Sequence, residues 1–159
     1  MSVDISQVVG EISWTQSKTN SPFVAIKQGP DKLTQAISPS TTTFNRIYAV
    51  SGTLAAGASV TIDLQSITDY LSQALTLTTV RALMIKATTV DMIYSPAASN
   101  GLTWFLLGTT PAIVIKAGGF FLIGDGAGFP VTATDKSFTI TNDDGSLTGT
   151  YEVALIGGQ

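Results

Sequence analysis

The chain has 159 residues, 44% hydrophobic and only 12% charged, with a formal net charge of −3 at pH 7. That length suits one domain able to bury its own core without a metal or disulfides. The charged fraction is about half the ~25% of an ordinary soluble domain. The eight Lys and Arg stand singly along the chain, so no basic field exists to neutralise nucleic-acid phosphates.

Two residue types are missing altogether, Cys and His. Without Cys there are no disulfides, thiolate nucleophiles, iron–sulfur ligands or cysteine zinc sites. Without His the commonest metal ligand is gone, and Ser-His-Asp and Cys-His catalysis with it. These absences remove the usual nucleophilic and transition-metal chemistries; a non-enzyme with no cofactor and no metal is the expectation, against a metal-independent hydrolase or lyase using acids or Tyr alone as the weakest alternative. The opening "MSVDISQVVGEISW" has neither a basic start nor a long apolar run, so no signal peptide is expected. No stretch reaches the ~18 consecutive apolar residues of a spanning helix, so no membrane partner is expected either.

Taken in chain order, residues 1–43 read as an arm with the first strands, packed on the same single domain as a sandwich core over 44–159. "GEISWTQ" and "FVAIKQ" are candidate strands; "SKTNSP" and "ISPSTTT" read as extended connections. Next come short segments rich in Thr, β-branched and aromatic residues, punctuated by turns, which is the pattern of an all-β sandwich or barrel. Alternation assigns their faces. Val60, Ile62 and Leu64 oppose Thr61 and Asp63 in "SVTIDL". Phe138 and Ile140 oppose Thr139 and Thr141 in "SFTITN". Tyr151, Val153 and Leu155 oppose Glu152 and Ala154 in "TYEVALIG". Each predicts a strand with one wet face, the antiparallel pattern.

"GTLAAGAS" is expected to close a hairpin between "FNRIYAV" and "SVTIDL". In "QSITDYLSQAL" the spacing of Ile67, Tyr70, Leu71 and Leu75 behind Ser66 predicts one short helix. "RALMIKA" and "VDMIY" read as strands, and "SPAASNG", "GDGAGFP" and "TNDDGSLTG" as loops. "PAIVIKAGGFFLIGD" reads as a hairpin turning at Ala117-Gly118-Gly119. Its second strand is apolar on both faces. One face fills the core; the other needs a loop, the helix or another subunit to cover it, and exposed apolar patches of this kind mark interaction sites. Phe120, Phe121, Ile123 and Val114 are therefore the candidate interface residues.

The remaining motifs favour plain structure. "TNDDGS" fails the EF-hand register, because a Gly145 at its sixth position puts Tyr151 at its twelfth. A looser Ca²⁺ site from Asp143 and Asp144 competes with a simple Asp-Gly turn. "GDGAGF" lacks the spacing and the Lys of a phosphate loop. Paired carboxylates for glycoside chemistry would have to come from Asp63, Asp91, Asp125 and Glu152, all at strand or loop positions that read as solvated. Among the aromatics Trp104, in "GLTWFLLG", is the best candidate for a sugar-stacking loop, against core or interface packing.

In order, "RIYAVSGTLAAGASVTIDLQSITD", "TTVRALMIKA", "TPAIVIKAGGFFLIGD" and "PVTATDKSFTITNDDGSLTGTYEVALIG" resemble the corresponding stretches of a group of small structural proteins of phages and prophages. The likeness runs from about Arg46 to Gly157, carries strand cores and turns rather than catalytic residues, and departs at Ala117, where Pro is expected. It implies an antiparallel β-sandwich of jelly-roll type that is a virion component (capsid, head decoration, or fibre and tail). It further implies a homo-oligomer, a trimer or higher, made in the host cytoplasm and meeting other virion proteins. The competing expectation is a carbohydrate-binding sandwich, a receptor-binding tip using the loop near Trp104.

Overall fold

A computed structural model describes residues 8–21, 24–37, 46–68, 73–104 and 111–159, and every described element is a β-strand. The chain divides into two compact units, residues 6–38 and the remainder.

The smaller unit is a long antiparallel hairpin of β1 (Val8–Ser21) and β2 (Val24–Ile37). The two strands run in register from Val8 opposite Ile37 to Ser21 opposite Val24. "SKTNS", expected as a connection, is thus ladder. The register slips between Trp14 and Gln16, opposite Gly29 and Pro30. That break accommodates Pro30, which has no N–H to give a ladder.

The larger unit holds β3 (Arg46–Leu54), β4 (Ser59–Asp63), β5 (Ile67–Thr68), β6 (Ala74–Leu75) and β7 (Thr79–Ala87). It continues with β8 (Met92–Pro96), β9 (Ile113–Ile115), β10 (Phe120–Pro130), β11 (Ser137–Asn142) and β12 (Gly149–Gly158). Two four-stranded sheets result, in orders β10-β7-β12-β3 and β4-β11-β8-β9, all pairs antiparallel. They pack through one core as a sandwich. Tyr94 of β8 stacks on Phe121 of the other sheet, ring centres 5.9 Å apart, and tilts against Phe138 at 5.4 Å. Tyr94, Phe138, Leu83, Ile85, Met92, Ile140 and Leu155 are fully buried. Each such side chain contributes roughly 1.5–3 kcal/mol.

The expected alternation appears in all three strands that carried it. Ile62, Leu64, Phe138, Ile140, Tyr151, Val153 and Leu155 are buried, while Thr61 is exposed and Glu152 half-buried. Pairing differs from expectation in two places. The loop after β3 does not close a hairpin: β3 pairs with β12, while β4 pairs with β11 in the opposite sheet. Likewise β9 pairs with β8, and β10 with β7. The glycine turn between β9 and β10 therefore carries the chain from one sheet to the other. It is closed by Gly119 N–H donating to Lys116 O (2.7 Å) and docked on the end of β7 by Gly118 N–H donating to Ala87 O (2.9 Å). Gly118 has φ +76°, where a side chain would be strained.

The helix expected over 65–75 is replaced at both ends by extended chain, and Tyr70 and Leu71 lie outside the described residues. Ile67 sits opposite Leu75 in the β5–β6 ladder, both buried. Leu77 N–H donates to Leu64 O at 3.0 Å, so the flanks bond across the loop rather than along a helix. A ladder buries Ile67 and Leu75 together as a helix face would, and β-branched Ile67 and Thr68 favour it.

"GDGAGFP" forms a turn, as read, but one bulged out of β10. Pairing jumps from Gly124 opposite Ala82 to Phe129 opposite Val80. Asp125 Oδ1 accepts from Ala127 N–H (2.6 Å) and Gly128 N–H (2.9 Å) and holds the bulge closed. At Gly157, beside the register slip of β12 on β7, a Cβ would come 2.5 Å from Thr79 O. Thr79 O is backbone and cannot swing aside as the Leu77 methyls at 3.2 Å could, so the position requires glycine.

Candidate interaction face

The outer side of the β10-β7-β12-β3 sheet is built in three cross-strand rows. Ala49, Ala154, Met84 and Leu122 form the central one. Ser51, Glu152, Lys86 and Phe120 flank it on one side; Ile47, Ile156, Ala82 and Gly124 flank it on the other. Among the described residues of these rows, the charged pair of Lys86 Nζ and Glu152 Oε1 at 3.2 Å interrupts the apolar surface. Phe120, 66% exposed, stands up at one edge. Between β3, β12 and β7 the face sinks into a shallow depression of about 410 Å³ lined by Ala49, Ala154 and Met84 and, at one end, by Ser51 and Glu152.

The outer side of the opposite sheet differs in chemistry. There Ser59 Oγ and Thr141 Oγ1 hydrogen-bond across β4 and β11 at 2.8 Å, and Thr61 and Thr139 at 3.1 Å. Apolar residues appear only towards its β9 edge, where Ile93 faces Val114. One sheet is outwardly hydroxyl-rich, the other greasy.

The four sequence-derived interface residues separate. Phe121 and Ile123 point inward and pack on the core, opposite Ile85 and Leu83 of β7. Phe120 and Val114, the latter 49% exposed, point outward on different sheets. The outward surface around Phe120 is extended by Leu122, Met84, Ala154, Ile156 and Ile47, which the sequence reading passed over. A usable signal existed: "RIYAV", "RALMIK" and "EVALIG" each place apolar residues at consecutive positions, the same mark that singled out "GGFFLIG".

Trp104 lies flat on Phe129, centroids 4.9 Å apart and planes 13° from parallel, and its Nε1–H donates to Pro130 O at 2.6 Å. One face of the indole and its only donor are thus occupied by the end of β10. Residues 105–110 of that loop lie outside the described residues.

The carboxylates of Asp63, Asp91 and Asp144 are committed locally. Asp63 pairs with Lys136 (2.8 Å) and accepts from Gln65 N–H (2.9 Å). Asp91 pairs with Lys116 (2.7 Å) and accepts from Ala117 N–H (2.9 Å), anchoring the turn between β9 and β10. Asp144 accepts from Ser146 N–H, Ser146 Oγ and Leu147 N–H, all within 2.9 Å, closing the loop before β12. Among the described residues no group of three or more acids stands ready to hold a metal ion, and no helix is long and apolar enough to cross a membrane.

These bonds set the pH response. For Asp63, partial burial opposes ionisation, but the hydrogen bond and charge of Lys136 and the Gln65 N–H outweigh it and lower the pKa. Lys116 and the Ala117 N–H lower that of Asp91, and the Ser146 and Leu147 N–H groups lower that of Asp144. A carboxylate with a depressed folded pKa stabilises above its unfolded value near 3.9, and that stability drains as pH falls through the folded value. At the alkaline end Asp91 raises Lys116, while burial raises Tyr48, Tyr94 and Tyr151. Groups with a raised folded pKa stabilise below their unfolded values near 10, and that stability is lost as pH rises through the folded ones. No side chain has an ordinary pKa between about 5 and 9. Melting temperature measured by calorimetry is therefore expected to be flat from about pH 5 to 9, and to fall below about pH 4 and above about pH 10.

No family model matches the chain, and neither a curated protein nor a solved structure matches it.

Proposed function

We propose that this chain is a non-enzymatic structural subunit of a virus or phage particle, a jelly roll that works by self-association and shape. The observation that carries the reading is the strand order. Eight strands fall into two four-stranded sheets ordered β10-β7-β12-β3 and β4-β11-β8-β9. Among them every connection except β8 to β9 changes sheet. Two interlocked Greek keys produce this order, and double-sheet jelly rolls of eight strands are a common build of viral capsid domains. Fold alone does not name a function, so the site supplies the second support. The outer side of the β10-β7-β12-β3 sheet is an apolar surface suited to another protein. The acids named above are engaged in turns and ion pairs rather than converging on a cleft.

In this reading the subunit resides in the virion as part of the capsid, a head decoration or a fibre, beside other virion proteins and further copies of itself. Mass photometry at micromolar concentration is expected to find oligomers, and negative-stain electron microscopy to find rings or particles of uniform size. A solitary 16.5 kDa species at tens of micromolar, with empty grids, sinks the proposal.

A further inference from the structure

We propose that two copies of this chain meet face to face through the outer side of the β10-β7-β12-β3 sheet, Phe120 of each seating in the depression of the other. The inference rests on the self-association reading above and adds which surface associates, and how.

The same face carries a projection and a hollow. Phe120 rises from β10 with two thirds of its surface in solvent, and the hollow lies two to three strands away over Ala49 and Ala154. A surface holding both halves of a fit complements itself under a two-fold axis, each copy giving what the other receives. An axis running along β7, midway between projection and hollow, brings Phe120 of one copy over the hollow of its partner. It also sets the two Met84 side chains opposite each other.

Charge agrees with a like partner. Lys86 and Glu152 stand side by side on this face, so the two Lys86 side chains that the same axis brings together each arrive with their charge offset by their own Glu152. Four strands ~4.8 Å apart, with a ladder from Tyr151 to Gly158 rising ~3.4 Å per residue, give a footprint of roughly 500 Å². Two such faces together remove on the order of 1,000 Å² before side-chain relief is added, the threshold for a specific interface. The hydroxyl ladder on the other sheet gives no comparable apolar area.

Because the sequence has no cysteine, a single introduced thiol reports on its own position alone. Full-length Met84→Cys and Thr139→Cys, the second on the outer side of the other sheet, are treated with a short bis-maleimide at tens of micromolar, since facing sheets stand ~10 Å apart. Dimer linking at least fivefold greater from Met84→Cys than from Thr139→Cys is expected. Adding Phe120→Asp should reduce that linking about tenfold without moving the melting temperature, because Phe120 is exposed. Equal linking at the two positions in a protein that still oligomerises overturns this interface and leaves self-association standing. Protection of the Met84→Cys thiol from maleimide in a monomeric chain means another part of the same chain covers the face. That outcome overturns the interface and self-association alike.

Discussion

An Asn142→Leu chain is expected to melt about 10 °C below its parent, a loss of roughly 3–4 kcal/mol. Asn142 ends β11 and is 1% exposed. Its Nδ2 donates to Leu54 O (3.2 Å), Ala55 O (3.0 Å) and Leu147 O (2.8 Å), and its Oδ1 accepts from Asp144 N–H at 2.9 Å. One amide thus ties the end of β3, the loop after it and the loop before β12. Leucine has similar volume but satisfies none of these groups, and each buried acceptor left without a donor costs about 1–3 kcal/mol. Part of that is recovered where the partner can reach water, hence the lower total. Spread over a domain of this size, 1 kcal/mol moves the midpoint by roughly 2–4 °C. Asn142→Asp separates hydrogen bonding from shape. It turns a carboxylate onto three carbonyl oxygens, so its deficit at pH 7 should be at least as large and should shrink as acid restores one O–H donor. Urea unfolding at pH 7 and pH 4 measures both; equal deficits for Asn142→Asp at the two pH values refute the account.

Nothing in "TITND" announces such a residue. An Asn before Asp-Asp-Gly reads as turn chemistry, and turn chemistry it is, since Asp144 closes the loop as expected. What the local pattern omits is that the end of β3 and the residue after it bring two carbonyls to the same point from 88 and 87 residues away in sequence. The same divide runs through the fold. Period-two alternation is a property of one strand, and it placed Ile62, Phe138, Ile140, Val153 and Leu155 on the correct faces. Pairing is a property of two strands, and a four-residue turn such as Ala55–Ala58 serves a hairpin or a sheet-to-sheet crossing equally well. Only the competition of β12 for β3, and of β11 for β4, decides between them. The described ends of the 65–75 segment differ from a helix for a related reason: Ile67 and Leu75 fit an apolar helix stripe and an apolar ladder alike, and the flanking Leu64–Leu77 bond selects the ladder.

The candidate face was legible in kind but not in detail. Two apolar neighbours, Phe120 and Phe121, announce that one lacks cover inside its own strand. Which of them turns outward depends on register with β7. There Phe121 falls opposite Ile85 and Phe120 opposite Lys86. The charge on Lys86 marks the wet side, so the solvent-facing phenylalanine is Phe120.

Two phenylalanines on opposite sides of their sheets then make opposed predictions, the larger at Phe138. Phe138→Ala is expected to cost about 3–5 kcal/mol, the usual range for an aromatic cut back to alanine in a closed core. Its ring is fully buried and rests against Tyr94, which in turn stacks on Phe121 of the other sheet. Removing it opens a cavity where the two sheets meet, and the rigid strands on either side, β4 and β8, leave little room for collapse. Phe138→Leu refills most of the volume and should cost less than half as much. Phe120→Ala removes a ring of the same size from solvent and should change stability by no more than about 0.5 kcal/mol. Its effect belongs to association, where the parent forms oligomers and the variant weakens them. Chemical denaturation of the three variants at low concentration, paired with mass photometry, reads both axes. A core substitution moves the first and an outward one the second. If Phe120→Ala destabilises the isolated chain as much as Phe138→Ala, the outer side of the sheet is already part of a core, and no surface remains there for a second copy.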